Sequence, residues 1–172
     1  MKLLRSLWRN QDGAALLEAS ILTPALFSLV LGVYEFSWYF YQQQLVEAGV
    51  RDAVRYLARI PISSTTTNPC SLSDANGTAF TTYIANAQNI ATTGQIASGG
   101  TARVKGWMAA NVSIPCPLSN SPTGTYADGT TTMWIVSAST SFADPSLGFL
   151  SFLGLTVPHL QASHQERFIG PG

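Results

Sequence analysis

The residues from Ala14 to Phe40 form one long apolar stretch that contains two carboxylates, Glu18 and Glu35, and no basic side chain. A helix of about 20 residues crosses a hydrocarbon core of about 30 Å, so this stretch can span a bilayer. Lipid offers the backbone no hydrogen-bond partners, and a single spanning segment must therefore be helical. The carboxylate of Glu18 stands out, because an unpaired acid at mid-membrane costs about 2.5 to 3.5 kcal/mol on insertion scales.

The flanks of this stretch predict its orientation. Lys2, Arg5 and Arg9 precede it, which by the positive-inside rule keeps the N-terminus cytoplasmic. An aromatic cluster between residues 34 and 41 is typical of a membrane interface. A cleaved secretory signal is the first alternative, but its apolar region usually has about 7 to 15 residues and ends at small residues, which favours a retained anchor here.

Helical periodicity continues beyond the aromatic cluster and predicts one helix from Ala14 to Arg59, ended by Pro61, with a kink at Pro24. Its apolar face comprises Leu45, Val46, Val50, Ala53, Val54 and Leu57. Its other face carries Arg51, Arg55 and Arg59, where the spacing predicts the pairs Glu47–Arg51 and Asp52–Arg55. A solvated face is the preferred interpretation of these arginines, and contact with a neighbouring subunit is the alternative.

The remainder of the chain, residues 61–172, predicts a small α+β domain with an antiparallel sheet. Its spacing indicates a short helix across Ala79 to Ala91 and a turn at Asn76-Gly77. Three strands are predicted, from Ala102 to Ile114, from Thr131 to Phe142 and from Thr156 to Phe168.

Cys70 and Cys116 are the only two cysteines, and both follow the predicted membrane segment. In an oxidising compartment they are expected to form a disulfide, which stabilises by about 4 kcal/mol in the chain-entropy model. Two free thiols are the less favoured alternative.

Composition argues against nucleic acid as a partner and against catalysis. Nine basic residues balance nine acidic residues, charged residues make up 10%, and the one basic cluster is the N-terminal leader. His159 and His164 would point to opposite faces of a strand and cannot chelate one ion unaided. No phosphate loop, nucleophile elbow or histidine pair for zinc is evident, so we expect no enzyme activity, no metal and no cofactor.

The basic leader, Gly13, the apolar segment and Glu18 together resemble the processing signal of the type IV pilin superfamily. More specifically, Glu18, Pro24, the run Gly32-Val33-Tyr34-Glu35-Phe36 and the run Val54-Arg55-Tyr56-Leu57-Ala58 resemble TadE-like minor pilins of tight-adherence (Flp) pilus systems. The closing Leu160-Gln161-Ala162-Ser163 is similar to the final strand of that family.

The resemblance implies a prepilin peptidase that removes residues 1–13 by cutting between Gly13 and Ala14. The new ammonium of Ala14 would then pair with Glu18, in the same or a neighbouring subunit, and so help assembly. Residues 14–60 would form the transmembrane and extended helix, and residues 61–172 the periplasmic domain.

The function this implies is that of a non-enzymatic minor pilin or pseudopilin. Its partners would be other pilin subunits, the prepilin peptidase and the pilus assembly machinery. Its place would be the inner membrane, or the cell exterior once the pilus is built. Two alternatives stay open: a bitopic envelope protein whose outer domain binds something unrelated to pili, and an anchored envelope hydrolase.

Overall fold

The computed structural model describes residues 12–62, 67–116, 118–120, 133–144 and 158–169, with residues 148, 151, 154 and 156 between the last two ranges. Among these residues, the α-helices α1 (Asp12–Ala58) and α2 (Phe80–Thr93) precede the strands β1 (Val112–Ser113), β2 (Ser119–Asn120), β3 (Trp134–Ala143) and β4 (His159–Arg167). Short 3-10 turns cover Pro69–Ser71 and Ala109–Asn111. The fold is α+β, as predicted.

Helix α1 has 47 residues and continues through Pro24 without interruption, so it is about 70 Å long. Its N-terminal part is exposed, whereas its C-terminal part carries buried residues from Val46 to Ala58. The predicted single helix is therefore confirmed. The predicted kink at Pro24 stays a prediction.

The hydrophobic core lies where the C-terminal part of α1 meets α2 and the sheet. Val46, Val50, Val54 and Leu57 of α1 are fully buried, and they recur at helical spacing on one face. The partners are supplied by α2, the sheet and the loop between them: Phe80, Ala87, Ala91, Val104, Trp107, Val136, Ala138, Phe142 and Leu160. The apolar face predicted for this part of α1 is the face that packs.

The sheet is antiparallel and is built around the long strand β3. Strand β4 pairs with β3 along nine positions, from Ile135 opposite Arg167 to Ala143 opposite His159. The short strands β1 and β2 pair with the other edge of β3. The predicted strands at 131–142 and 156–168 are thereby confirmed as β3 and β4, and the predicted helix at 79–91 is confirmed as α2.

The strand predicted from Ala102 to Ile114 is wrong over most of its length. Only Val112–Ser113 is extended and paired; the segment before it is irregular and ends in the 3-10 turn at Ala109–Asn111. The physical reason is that its apolar side chains are not arranged as the face of a strand. Val104 and Trp107 lie in a compact loop, and their side chains are buried against the helices and the sheet.

Cys70 and Cys116 form a disulfide, which joins the loop between α1 and α2 to the loop between β1 and β2. Asn68 links the same two loops, since its Nδ2 donates to the Leu118 carbonyl at 2.9 Å and its Oδ1 accepts from the Leu118 N–H at 3.2 Å. The cross-link therefore lies beside a matched pair of hydrogen bonds, which position the two loops independently of the sulfur atoms.

Candidate assembly surface

The N-terminal part of α1 presents large apolar side chains to its surroundings. Leu16, Leu17, Ile21, Phe27 and Leu29 are each more than 60% exposed. Within the described residues, α1 is the one helix long and apolar enough to cross a membrane, with a mean hydropathy of 1.9 over its best window. A surface of this kind is stable only in lipid or against other apolar helices, which suggests single-pass anchoring.

The serine and threonine hydroxyl groups of this apolar part are satisfied within the helix itself. Ser20 donates to the Leu17 carbonyl at 2.7 Å, and Thr23 donates to the Ala19 carbonyl at 2.6 Å. Ser28 and Ser37 donate in the same way to the carbonyls of Pro24 and Val33, both at 2.8 Å. These side chains therefore cost little in an apolar environment, because no hydroxyl proton is left without an acceptor.

Glu18 is different from these hydroxyl residues. Its side chain is exposed on the apolar part of α1, and within the described chain it makes no hydrogen bond and no ion pair. It lies four residues, about one helical turn, after Ala14. The structure thus places Gly13, Ala14 and Glu18 on the first turns of one helix, without giving the carboxylate a partner.

The three glycines of α1 have different surroundings. A Cβ built at Gly13 or at Gly32 would meet no atom within 4 Å, whereas a Cβ at Gly49 would overlap the carbonyl oxygen of Ala91. Gly49 is therefore required by the close approach of α1 to α2. Gly13 has no such role, although a helical glycine costs about 1 kcal/mol relative to alanine.

The helix leaves its exposed part and enters the domain near Tyr39 and Gln43. Tyr39 Oη donates to the His159 carbonyl at 3.3 Å. Gln43 binds the backbone of Gln161 on β4 twice, since its Nε2 donates to the carbonyl and its Oε1 accepts from the N–H at 3.3 Å. The aromatic cluster predicted at an interface lies just before this junction, where the rings of Trp38 and Tyr41 are 5.6 Å apart.

The charged face of α1 differs from its prediction. Asp52 pairs with Arg103 of the loop after α2, at 2.8 Å, and not with Arg55. Glu47 accepts from Gln43 Nε2 at 3.0 Å and makes no ion pair with Arg51. The predicted pairs Asp52–Arg55 and Glu47–Arg51 do not form, because Arg103 and Gln43 offer these carboxylates fixed contacts instead. The side chains of Arg51, Arg55 and Arg59 are exposed.

The outer face of the sheet is polar and free of charge at its centre. Ser113, Ser139 and Ser163 lie side by side across β1, β3 and β4, and all three are exposed. Among the residues that the structure describes, no group of three or more histidine, cysteine, aspartate or glutamate side chains could hold a metal ion. This surface offers contact area rather than reactive groups.

Residues 13–55 match the family model described as TadE-like protein. The N-terminal segment of this chain is TadE-like. The TadE-like match takes in the exposed apolar part of α1 and most of the buried part, and it includes Gly13, Ala14 and Glu18. It points to a protein associated with a Tad pilus and confirms the family resemblance over this segment.

The TadE-like match ends before the disulfide-linked domain begins. Neither the curated proteins nor the solved structures contain a match to the chain. Sequence reasoning found the cysteine pair. The processing role of Gly13 and Ala14 and the assembly role of Glu18 stay predictions. Sequence reasoning missed Gly49 as a contact point and Gln43 as the link to β4. Gly49 could have been recognised as a contact point, because a glycine within a helical pattern often marks a close approach.

Proposed function

We propose that this chain is a minor pilin or pseudopilin of a tight-adherence pilus, a structural subunit that takes part in filament assembly. The observation that carries the proposal is the TadE-like match on a helix whose Gly13 and Glu18 have no contact partner among the residues that the structure describes. Both residues fit a chain that is processed and then packed against neighbours.

Processing by a prepilin peptidase between Gly13 and Ala14 would change the charge at the start of α1. It would remove Lys2, Arg5, Arg9 and Asp12 and create an ammonium at Ala14, one helical turn from Glu18. An ammonium within a few Å stabilises a carboxylate strongly where water is scarce, so the cut would supply the partner that Glu18 lacks. The ammonium of a neighbouring subunit could serve in the same way.

The exposed apolar part of α1 would lie first in the inner membrane and then among other pilin subunits. In the membrane its N-terminal end would face the cytoplasm, as the leader charges predict, and the disulfide-linked domain would face the periplasm. In a filament the same side chains would be buried by neighbouring helices, and the pilus assembly machinery would move the subunit from one environment to the other.

The processing step is tested by measuring the mass of the protein after co-expression with a prepilin peptidase. The expected product begins at Ala14. Gly13→Ala should block the cut, whereas Gly32→Ala, the matched change at the other open glycine of the helix, should leave it unaffected. A chain that still begins at Met1 in the presence of active peptidase would contradict the proposal.

The role of Glu18 is tested by replacing it with glutamine in cells that assemble the pilus. Glu18→Gln should leave membrane insertion intact, because it removes a charge from an apolar segment, but it should impair piliation. Ser20→Ala, two residues away, is the control without a charge change. Normal piliation by Glu18→Gln would count against the pairing role, and piliation that does not depend on this chain at all would favour an unrelated envelope protein.

A further inference from the structure

Helix α1 packs on the domain with one face and leaves the opposite face uncovered. Its buried side chains recur at steps of three or four residues: Gln42, Val46, Val50, Ala53 and Leu57. Its exposed side chains recur in the same way and form what we call the exposed face: Tyr41, Gln44, Ala48, Arg51 and Arg55. Gln44, Ala48 and Arg55 each follow a buried residue by two positions, which is about 200° around the helix axis. The exposed face is therefore the side of α1 that points away from the domain.

The exposed face continues into the apolar part of α1. Toward the N-terminus, the same spacing leads to further exposed residues: Ser37, Val33, Val30 and Leu26. Leu26 and Val30 border an apolar groove of about 270 Å³ together with Thr23 and Phe27. One side of the helix is thus apolar before the aromatic cluster and basic at its C-terminal end.

The basic end of the exposed face carries charge that the chain does not neutralise. Arg51 and Arg55 are one helical turn apart, and Arg59, which is also exposed, directly follows the last residue of α1. The two carboxylates of this part of α1, Glu47 and Asp52, are held by other partners. None of the three arginines makes an ion pair within the residues that the structure describes, and no carboxylate is exposed between residues 37 and 58 of α1. Such a surface attracts carboxylates from another molecule.

The position of these arginines relative to the domain indicates which molecule they meet. In the proposed filament, the apolar part of α1 packs among the helices of other subunits. The domain covers the side of α1 that carries Val46 and Leu57, so a neighbouring helix that lies along α1 must use the exposed face. A helix that follows this face beyond the aromatic cluster reaches Arg51 and Arg55. The structure thereby favours contact with a neighbouring subunit over a purely solvated face.

We propose that Arg51, Arg55 and Arg59 bind an acidic α-helix of a different pilin-type subunit, which lies along the exposed face and carries carboxylates at intervals of one turn. This inference rests on the proposed function and adds to it the chemistry of the neighbouring subunit. A second copy of this chain fits poorly, because two exposed faces in register would bring arginine against arginine. The arginines would mainly select the neighbour, since exposed ion pairs add little affinity.

Cross-linking in cells that assemble the pilus tests this proposal. A photoreactive amino acid at Ala48, on the exposed face, should form a covalent link to a different subunit on illumination. Mass spectrometry should place that link in a helix whose carboxylates are three or four residues apart. Arg51→Gln combined with Arg55→Gln should lower the yield of the link by at least about threefold. Arg51→Lys combined with Arg55→Lys should retain most of the yield, because it keeps both charges.

Arg167→Gln is the matched control, because it removes an equally exposed arginine from β4, and it should leave the yield unchanged. Both double variants should unfold at the wild-type temperature in detergent, since exposed side chains contribute little to stability. Four results would each overturn the proposal: a link to a second copy, a link to a segment without carboxylates, no link to protein, or a yield that the double glutamine variant leaves unchanged.

The proposed function is checked separately in the same cells, by whether the wild-type chain is found in purified pili or in the membrane-bound assembly complex. If the chain is present there and its cross-link does not depend on Arg51 and Arg55, this inference alone fails. If the chain is absent from both, the proposed function fails as well.

Discussion

Gly49 of α1 lies directly against the carbonyl oxygen of Ala91 in α2, and the ring of Trp107 closes the remaining space. A Cβ at Gly49 would overlap that carbonyl and come within 2.7 Å of Trp107 Cη2. The two helices can cross this closely only because residue 49 has no side chain. This crossing fixes the position of α2 on the TadE-like helix.

Gly49→Ala should therefore destabilise the domain although alanine favours helix formation. The added methyl group meets backbone on one side and a fully packed indole on the other, so we expect a loss of about 1 to 3 kcal/mol. Thermal or denaturant unfolding of the full chain in detergent measures it. Gly32→Ala, in open space on the same helix, is the control. Equal stability of the two variants would show that the crossing can widen without cost.

Thr140→Val should destabilise the domain although valine has nearly the same shape as threonine. Thr140 Oγ1 donates to the Asn111 carbonyl at 2.8 Å and accepts from Trp107 Nε1 at 3.1 Å, in a position that is 5% exposed. Valine would leave a buried donor and an acceptor without partners, which costs about 1 to 3 kcal/mol. Thr140→Ser should retain most of the stability. Denaturant unfolding followed by tryptophan fluorescence compares the three proteins.

The turn at Asp74 should make the stability of the domain depend on pH. The hydrogen bond from Tyr83 Oη at 2.7 Å, followed by the one from the Thr78 N–H, lowers the pKa of Asp74 below 3.8, and the same carboxylate raises the pKa of Tyr83 above 10.0. The contribution of Asp74 is present above its unfolded pKa and is lost as pH falls through the folded value. The contribution of Tyr83 is present below about pH 10 and is lost as pH rises through its raised pKa.

Unfolding of the wild-type chain and of Asp74→Asn across acidic pH measures the first contribution. The difference in stability between them should be largest near neutral pH and should shrink as the pH falls below about 3.8. Tyr83→Phe is the second variant for this measurement. It removes the hydrogen bond that lowers the pKa of Asp74 most, so the pKa of that carboxylate should rise. A difference that stays constant with pH would contradict the linkage.

Loss of the disulfide should destabilise the domain without unfolding α1. Cys70 and Cys116 are 46 positions apart, and closing a loop of this length restricts the unfolded chain by about 4 kcal/mol. The double variant Cys70→Ser, Cys116→Ser should unfold at a lower temperature than the oxidised wild type and should not respond to reductant. Asn68 provides the comparison: Asn68→Ala should lower the stability less, because it removes hydrogen bonds and leaves the loop closed. An unchanged melting temperature in the cysteine variant would contradict this prediction.

Periodicity predicted the elements whose side chains form continuous faces. The apolar face from Val46 to Leu57, the helix at Phe80 and the alternating strand from Trp134 are all regular patterns, and each is confirmed. Gly13 and Glu18 could be proposed as processing and assembly residues because one helix brings them together by sequence spacing alone, and their roles stay predictions.

Other features depend on contacts between residues far apart in the sequence. Trp107 lies in an apolar run that suggested a strand, yet the run folds as a loop because the indole packs between helix and sheet and stacks on Phe142. Asp52 binds Arg103 rather than Arg55, since a partner fixed by another element costs less entropy to hold. Local spacing carries no information about either contact.

The TadE-like helix is described without a break from residue 12 to residue 58, with its N-terminal part exposed and its C-terminal part built into the core of the domain. The sheet must therefore turn with the anchor. Any rotation of the apolar segment about its own axis would carry the Ser113–Ser139–Ser163 row around by the same angle. In a filament, the N-terminal apolar part of α1 would pack against neighbouring subunits. Its packing would set the direction in which each subunit presents this row, although the two lie several helical turns apart.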